Sequence, residues 1–138
     1  MYSRDLVNSL SKLGCGKRKT YNLRFPNIQE KYYSHFIRGV FDGDGSISIK
    51  NNRRRCATVS FTGTESLCTS IGEILKSEAG ISDFRMYTRH PERKNNIRMI
   101  HISRTDDVLK SLHWMYDDNT VYMKRKAAKA FQFYKACQ

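Results

Sequence analysis

Acidic residues are scarce in this sequence. Of its 138 residues, 13 are Asp or Glu and 25 are Lys or Arg, a formal net charge of +12. An enzyme acting on small neutral molecules has no need of that excess, so a polyanionic partner is expected, nucleic acid first. Long apolar runs are missing too. Nothing approaches the roughly 20 residues that span a bilayer, and the N-terminus has no signal-peptide core. The expectation is an intracellular chain, neither secreted nor bound to a membrane. The four cysteines, Cys15, Cys56, Cys68 and Cys137, form no C-x-x-C pair and fit no common zinc spacing, which leaves reduced thiols without a structural metal. Only two prolines occur, Pro26 and Pro91, each at an expected break. His35, His90, His101 and His113 fall on different elements without metal-ligand spacing. No repeat, linker or low-complexity segment divides the chain, so residues 1–138 read as one domain.

What is abundant is clustered base: Lys17-Arg18-Lys19, Arg53-Arg54-Arg55 and Lys124-Arg125-Lys126. Such clusters suit phosphate contacts, although each alone also fits a solvated face. Periodicity predicts a short helix near Arg4–Leu13, an extended piece Thr20–Phe25, and a helix opened by Asn27 with Glu30 at capping-box spacing. Alternating strands follow at Ser46–Lys50 and Arg55–Thr62, then a helix at Glu65–Glu78 closed by Gly80. A second hairpin takes Asp83–His90 and Ile97–Ser103. Helices at Asp106–Tyr116 and Val121–Lys135 complete an α+β domain with one antiparallel sheet.

Strand alternation puts Ile47, Ile49, Ala57, Val59 and Phe61 toward the core. The opposite face then carries Ser48, Lys50, Thr58, Ser60, Arg85, Tyr87 and Arg89. Arg53 and Arg55 sit at the first hairpin. Arg98 and His101 have opposite parity on one strand, and the sequence does not choose between them; Arg98 is carried as the contact. Hydroxyls, tyrosine and base with almost no acid suit groove contacts with bases and phosphates.

The exception to the basic trend is the stretch FIRGVFDGDGSISI, residues 36–49. Asp42 and Asp44 lie where the helix over 27–44 gives way to a strand. That helix has two apolar sides. One covers its own sheet. The other, with Phe36, Gly39, Val40 and Gly43, needs a partner, and glycines four apart let a second backbone come close. Two copies crossing there would bring Asp42 and Asp44 of each to one axis. Carboxylates at helix C-termini are disfavoured by the dipole, and a divalent cation held by hard oxygens offsets that. The alternative is local: Asp42 caps and Asp44 makes an Asx-turn.

Ile37-Arg38-Gly39-Val40-Phe41-Asp42-Gly43-Asp44-Gly45 resembles the motif of the LAGLIDADG homing endonucleases in register, with Arg38 in place of a small residue and Gly43 in place of Ala. The resemblance covers residues 27 to the end. It implies an αββαββα fold with a saddle-shaped antiparallel sheet that reads double-stranded DNA, residues 1–26 being an N-terminal extension. It implies site-specific, metal-dependent cutting of both strands by a dimer of bacterial, phage or organellar setting. On that pattern Asp44 binds Mg²⁺ (or Mn²⁺) with the Gly43 backbone as a further ligand, and Asp42 supports the junction. Lys124, with Lys126 next, matches the basic residue of the active site; Lys126 is also counted among the DNA contacts. Glu65, or Thr64, matches a water-positioning residue. A single motif implies a homodimer. The stretch LGCGKRKTYNLRFP resembles the joint between halves of two-motif members, which implies a partner half-protein instead. Intein ends are absent. Two other functions fit the same fold: a DNA-binding protein that does not cut, and an RNA-binding intron maturase.

Overall fold

The computed structural model describes residues 3–13, 21–50 and 56–138. Helix α1 (Arg4–Lys12) comes first. A 3-10 turn, Glu30–Tyr32, leads into α2 (Tyr33–Asp44), followed by β1 (Ser46–Lys50) and β2 (Cys56–Thr64). Next are α3 (Glu65–Ile74) with a π-helical turn Leu75–Ala79, β3 (Arg85–Tyr87), β4 (Ile97–Ile102), α4 (Thr105–Tyr116) and α5 (Lys124–Cys137). The strands form one antiparallel sheet in the order β1-β2-β4-β3. The α+β class and element order expected from periodicity are both present.

The layers follow from alternation. Ile47, Ala57, Val59, Phe61, Ile100 and Ile102 point to one face and are buried. Onto them pack Ile37 and Phe41 of α2, Leu67 and Ile71 of α3, Val108, Leu112 and Met115 of α4, and Ala127, Ala130 and Phe133 of α5. Each large apolar side chain so buried contributes about 1.5–3 kcal/mol. Among the described residues, no helix covers the other face. Thr64 caps α3 by accepting from the Leu67 N–H at 3.2 Å. Gly80, at φ 73°, ends the π-helical turn in the left-handed region that glycine tolerates.

Several boundaries differ from the periodic reading, β2 running on to Thr64 among them, and three have a clear local reason. The first concerns Asn27, which does not cap a helix. The Ile28 N–H closes a tight turn onto the Pro26 carbonyl at 3.0 Å, so helical structure begins only at Glu30. The second is β3, which has three residues because it is an edge strand whose pairing ends at Tyr87↔Met99. The third is α5, which starts at Lys124 and not Val121, because the Met123 N–H is taken by Asp42 at 2.8 Å. Residues 21–25, expected in an extension, pack on the body. Phe25 sets its ring edge-on against Tyr33 and Phe36, at 5.2 and 4.9 Å between centroids, and Leu23 joins it against the core. Cys56, Cys68 and Cys137 are free thiols, and burial pushes the Cys68 thiol up to about 11.

Candidate active site and nucleic-acid interface

The two aspartates at the end of α2 have different fates. Helix α2 stops where the Gly45 N–H bonds the Phe41 carbonyl at 2.9 Å and the chain turns extended. A Cβ on Gly45 would run into Phe41, so the turn requires glycine. Asp42 points inward. Its Oδ1 accepts from the Tyr116 hydroxyl at 2.6 Å and its Oδ2 from the Met123 N–H at 2.8 Å, tying α2 to α4 and to the start of α5. Burial, then the Asp42 carboxylate, pushes the Tyr116 phenol far above its ordinary range. Asp44 is exposed, and among the described residues no hydrogen bond or ion pair engages its carboxylate. The carbonyls of Gly43 and Asp44 are likewise free of hydrogen bonds among those residues.

Two buried cations hold this junction. Arg38, which stands where the motif has a small residue, donates to the Met115 carbonyl at 3.0 Å, the Val121 carbonyl at 2.9 Å and His35 Nδ1 at 3.1 Å. Lys126 lies under the helix end. Its Nζ donates to the carbonyls of Phe41, of Asp42 at 2.9 Å and of Gly45 at 2.5 Å. Burial lowers its pKa below the usual lysine value, against the opposing pull of Asp42. Only 5% of Lys126 is exposed, and its ammonium donates to main-chain oxygens, where its cluster had suggested an exposed DNA contact.

A cleft of about 330 Å³ opens beside Asp44, lined by Gly43, Asp44, Gly45, Ser46, Arg125, Lys126 and Lys129. It continues along the β1 edge past Ser48, Lys129 and Gln132. Lys124, the basic residue of this segment expected at the active site, is exposed but lies outside that lining. Arg125 and Lys129 are the exposed bases that share the cleft with Asp44. The signal for them was available: they are four apart on one helix and so share a face.

Register settles the sheet face. Ser60 pairs with Ser46 on one side and His101 on the other, and Arg85 pairs with His101. Opposed residues share a face, so Ser48, Lys50, Thr58, Ser60, Arg85 and Tyr87 lie together on the uncovered side, with His101 and Met99 added. Ser60 is buried there, bonded to Ser46 Oγ at 2.7 Å. Tyr87 and His101 rings are 4.9 Å apart. Arg98 has the other parity and is corrected: it pairs with Gly63 on the helix-covered side and meets Glu65 at 3.0 Å. Glu65 is therefore Arg98's partner at the first turn of α3 and does not line the cleft with Asp44. Arg89 is exposed in the turn beyond β3. Arg53 and Arg55 lie outside the described residues.

Along α2, Gly39 and Gly43 are exposed, while Phe36 and Val40 are half-buried against the core. Among the described residues, a Cβ at either glycine would meet nothing within 4 Å, so packing among those residues explains neither. As a cation site, Asp44 offers free hard oxygens, with the Gly43 carbonyl next to it, which suits Mg²⁺ or Mn²⁺. No group of three or more metal-ligating side chains exists among the described residues. Water, a phosphate or a second chain would complete the ligand set.

No protein-family model and no curated protein matches the sequence. Solved structures do. The chain is similar to the LAGLIDADG meganuclease I-AabMI bound to uncleaved DNA, with TM-score 0.55 and 20% identity, over 75% of this chain and 35% of that one. It is similar to the archaeal intron-encoded homing endonuclease I-Vdi141I complexed with DNA, with TM-score 0.51 and 20% identity, over 78% of this chain and 67% of that one. For the homing endonuclease I-TnaI the TM-score is 0.50 at 12% identity, over 74% and 69%. The chain thus spans about a third of I-AabMI and two thirds of I-Vdi141I. At this identity the likeness is one of fold, and the fold is that of the LAGLIDADG homing endonucleases, as the motif implied.

Proposed function

We propose that this chain, which carries the LAGLIDADG homing-endonuclease fold, is one half of a site-specific DNA endonuclease that breaks both strands of a duplex when two such units pair. The observation that carries the reading is the free carboxylate of Asp44 in a cleft shared with Arg125 and Lys129. Asp44 and the Gly43 carbonyl would hold Mg²⁺ or Mn²⁺. Bound there, the cation supplies Lewis-acid polarisation of a phosphate and a more acidic water. Arg125 and Lys129 draw the phosphate backbone into the cleft, and Lys124 adds charge at its approach. The sheet face of Ser48, Lys50, Thr58, Ser60, Arg85 and Tyr87 enters the major groove, where hydroxyls and arginine read base edges.

Pairing uses the exposed side of α2. A glycine in an exposed helix costs about 1 kcal/mol relative to alanine, and among the described residues nothing lies within 4 Å of a Cβ at Gly39 or Gly43 to offset it. A second helix crossing there, flanked by Phe36 and Val40, supplies the reason for them and brings two Asp44 carboxylates to one axis. A second copy of this chain is the partner proposed.

The test is cleavage of a randomised duplex library with Mg²⁺, sequencing the cut ends, for the wild type and Asp44→Asn. A near-palindromic site, cut by the wild type and bound but uncut by the variant, is expected. An asymmetric site would replace the second copy with a partner half-protein. Binding without cutting, or preference for a structured RNA over any duplex, would overturn the endonuclease reading.

A further inference from the structure

The last turn of a helix leaves carbonyls without intrahelical partners. In α2 those carbonyls are treated unequally. Lys126 Nζ donates to three oxygens, those of Phe41, Asp42 and Gly45. These bracket the two residues between them. The carbonyls of Gly43 and Asp44 and the carboxylate of Asp44 take no hydrogen bond among the described residues. Lys126 comes from α5, more than eighty residues along the chain, and is buried beside Phe41 beneath the helix end it holds. The pattern fixes the backbone on both sides of the Gly43-Asp44 pair and leaves the pair's own oxygens unused.

We infer that Lys126 is a positioning residue that clamps the end of α2, so that the Gly43 carbonyl and the Asp44 carboxylate are held at a fixed spacing and kept free for a divalent cation. The inference rests on the endonuclease reading above. In this role Lys126 would touch neither DNA nor metal. A lysine that bound phosphate would need its ammonium exposed, and this one has its donors turned to main-chain oxygens. A cation at the negative end of the helix also suits the dipole, and it offsets the clustering of Asp42 and Asp44. Donor geometry is the property that matters in a clamp, whereas charge is the property that matters in a phosphate contact.

Two variants separate these roles. Lys126→Met removes every donor, and Lys126→Gln removes the charge but keeps two N–H donors. Three quantities are read for each: amide hydrogen exchange at Gly45, Mn²⁺ affinity in the presence of DNA, and cutting kcat and KM over a salt series. In Lys126→Met the Gly45 amide is expected to exchange on the order of tenfold faster, with Val59 unchanged. Mn²⁺ affinity and kcat should each fall by about tenfold to a hundredfold at unchanged KM and salt slope. Lys126→Gln should recover part of every loss. If Lys126→Met does not fold, Lys126→Gln against wild type carries the test. Unchanged Gly45 exchange, equal loss in both variants, or a salt slope reduced by about 1 with raised KM would overturn the inference. A wild type that cuts no duplex would sink the endonuclease reading instead, and Gly45 exchange and Mn²⁺ affinity would still decide the clamp.

Discussion

The Tyr116 hydroxyl reaches Asp42 Oδ1 at 2.6 Å across the gap between α4 and α2. Two residues on, Asp44 has no such partner among the described residues. One turn of helix thus holds a structural carboxylate and a free one, and substitution should separate them. Asp42→Ala leaves the Tyr116 hydroxyl and the Met123 N–H without an acceptor, so it should destabilise the fold by about 1–3 kcal/mol. Asp44→Ala should leave the thermal midpoint unchanged or slightly raised, since it removes a charge from the wrong end of a dipole. Thermal melts of both variants read the contrast. A large loss for Asp44→Ala would contradict the geometry.

Asp107 sets a pH dependence. It is fully buried on α4, and its Oδ1 accepts from the Ser82 N–H and hydroxyl, both at 2.9 Å. Burial alone would raise its pKa, but the Ser82 bonds and nearby Arg104 outweigh it and hold the carboxyl below the usual range. A lowered folded pKa adds stability above the unfolded value, about 3.9, and that contribution is lost as pH falls through the folded pKa. Asp107→Asn should therefore cost about 1–3 kcal/mol at pH 7, with the gap closing as pH falls below about 3.9. Urea titrations across that range give the curve, and a gap that widens in acid would refute it.

Arg85 and Arg98 are both basic residues of the sheet, and only one faces the open side. Arg85→Ala should weaken duplex binding across sequences and reduce the salt slope by about 1, with little change in stability. Arg98→Ala should leave the slope alone. It gives up the pairing with Glu65 and donation to the Asn95 and Ile97 carbonyls at 3.0 and 3.1 Å, so stability should fall by roughly 1 kcal/mol. Fluorescence anisotropy over a salt series, with melts, distinguishes them.

Arg38 is a motif position turned to structure. Its guanidinium ties the end of α4 and the Val121 carbonyl to α2. Arg38→Met should cost about 2–3 kcal/mol because the buried Met115 carbonyl and the part-buried Val121 carbonyl lose a charged donor. Arg38→Lys should recover little of it, since one ammonium nitrogen cannot stand at the three places from which the guanidinium's separate nitrogens reach their acceptors. Urea midpoints at neutral pH decide.

Much of the molecule was legible in the sequence because it depends on local period. Alternation at Ser46–Lys50 and Arg55–Thr62 fixed which residues face the core, and the apolar spacing of the helices that became α2 through α5 fixed the element order. Asp44 stood out because a carboxylate at a helix end in a basic chain is locally unfavourable. The exposed glycine side of α2 was visible for the same reason.

What only the tertiary structure decided is which polar groups meet. Arg98 and His101 differ by strand parity, and the choice between them needs the register of β4 against β2. Lys124, Arg125 and Lys126 are adjacent in sequence, yet Lys126 is drawn under α2 while Arg125 turns to the cleft, because successive residues on a helix point about 100° apart and α5 can bury only one side. Asp42 and Asp44 look equivalent in the motif, but only Asp42 finds Tyr116 and Met123, from elements more than seventy residues away. Periodicity assigns a face to a residue; the partner it finds there depends on how distant segments pack.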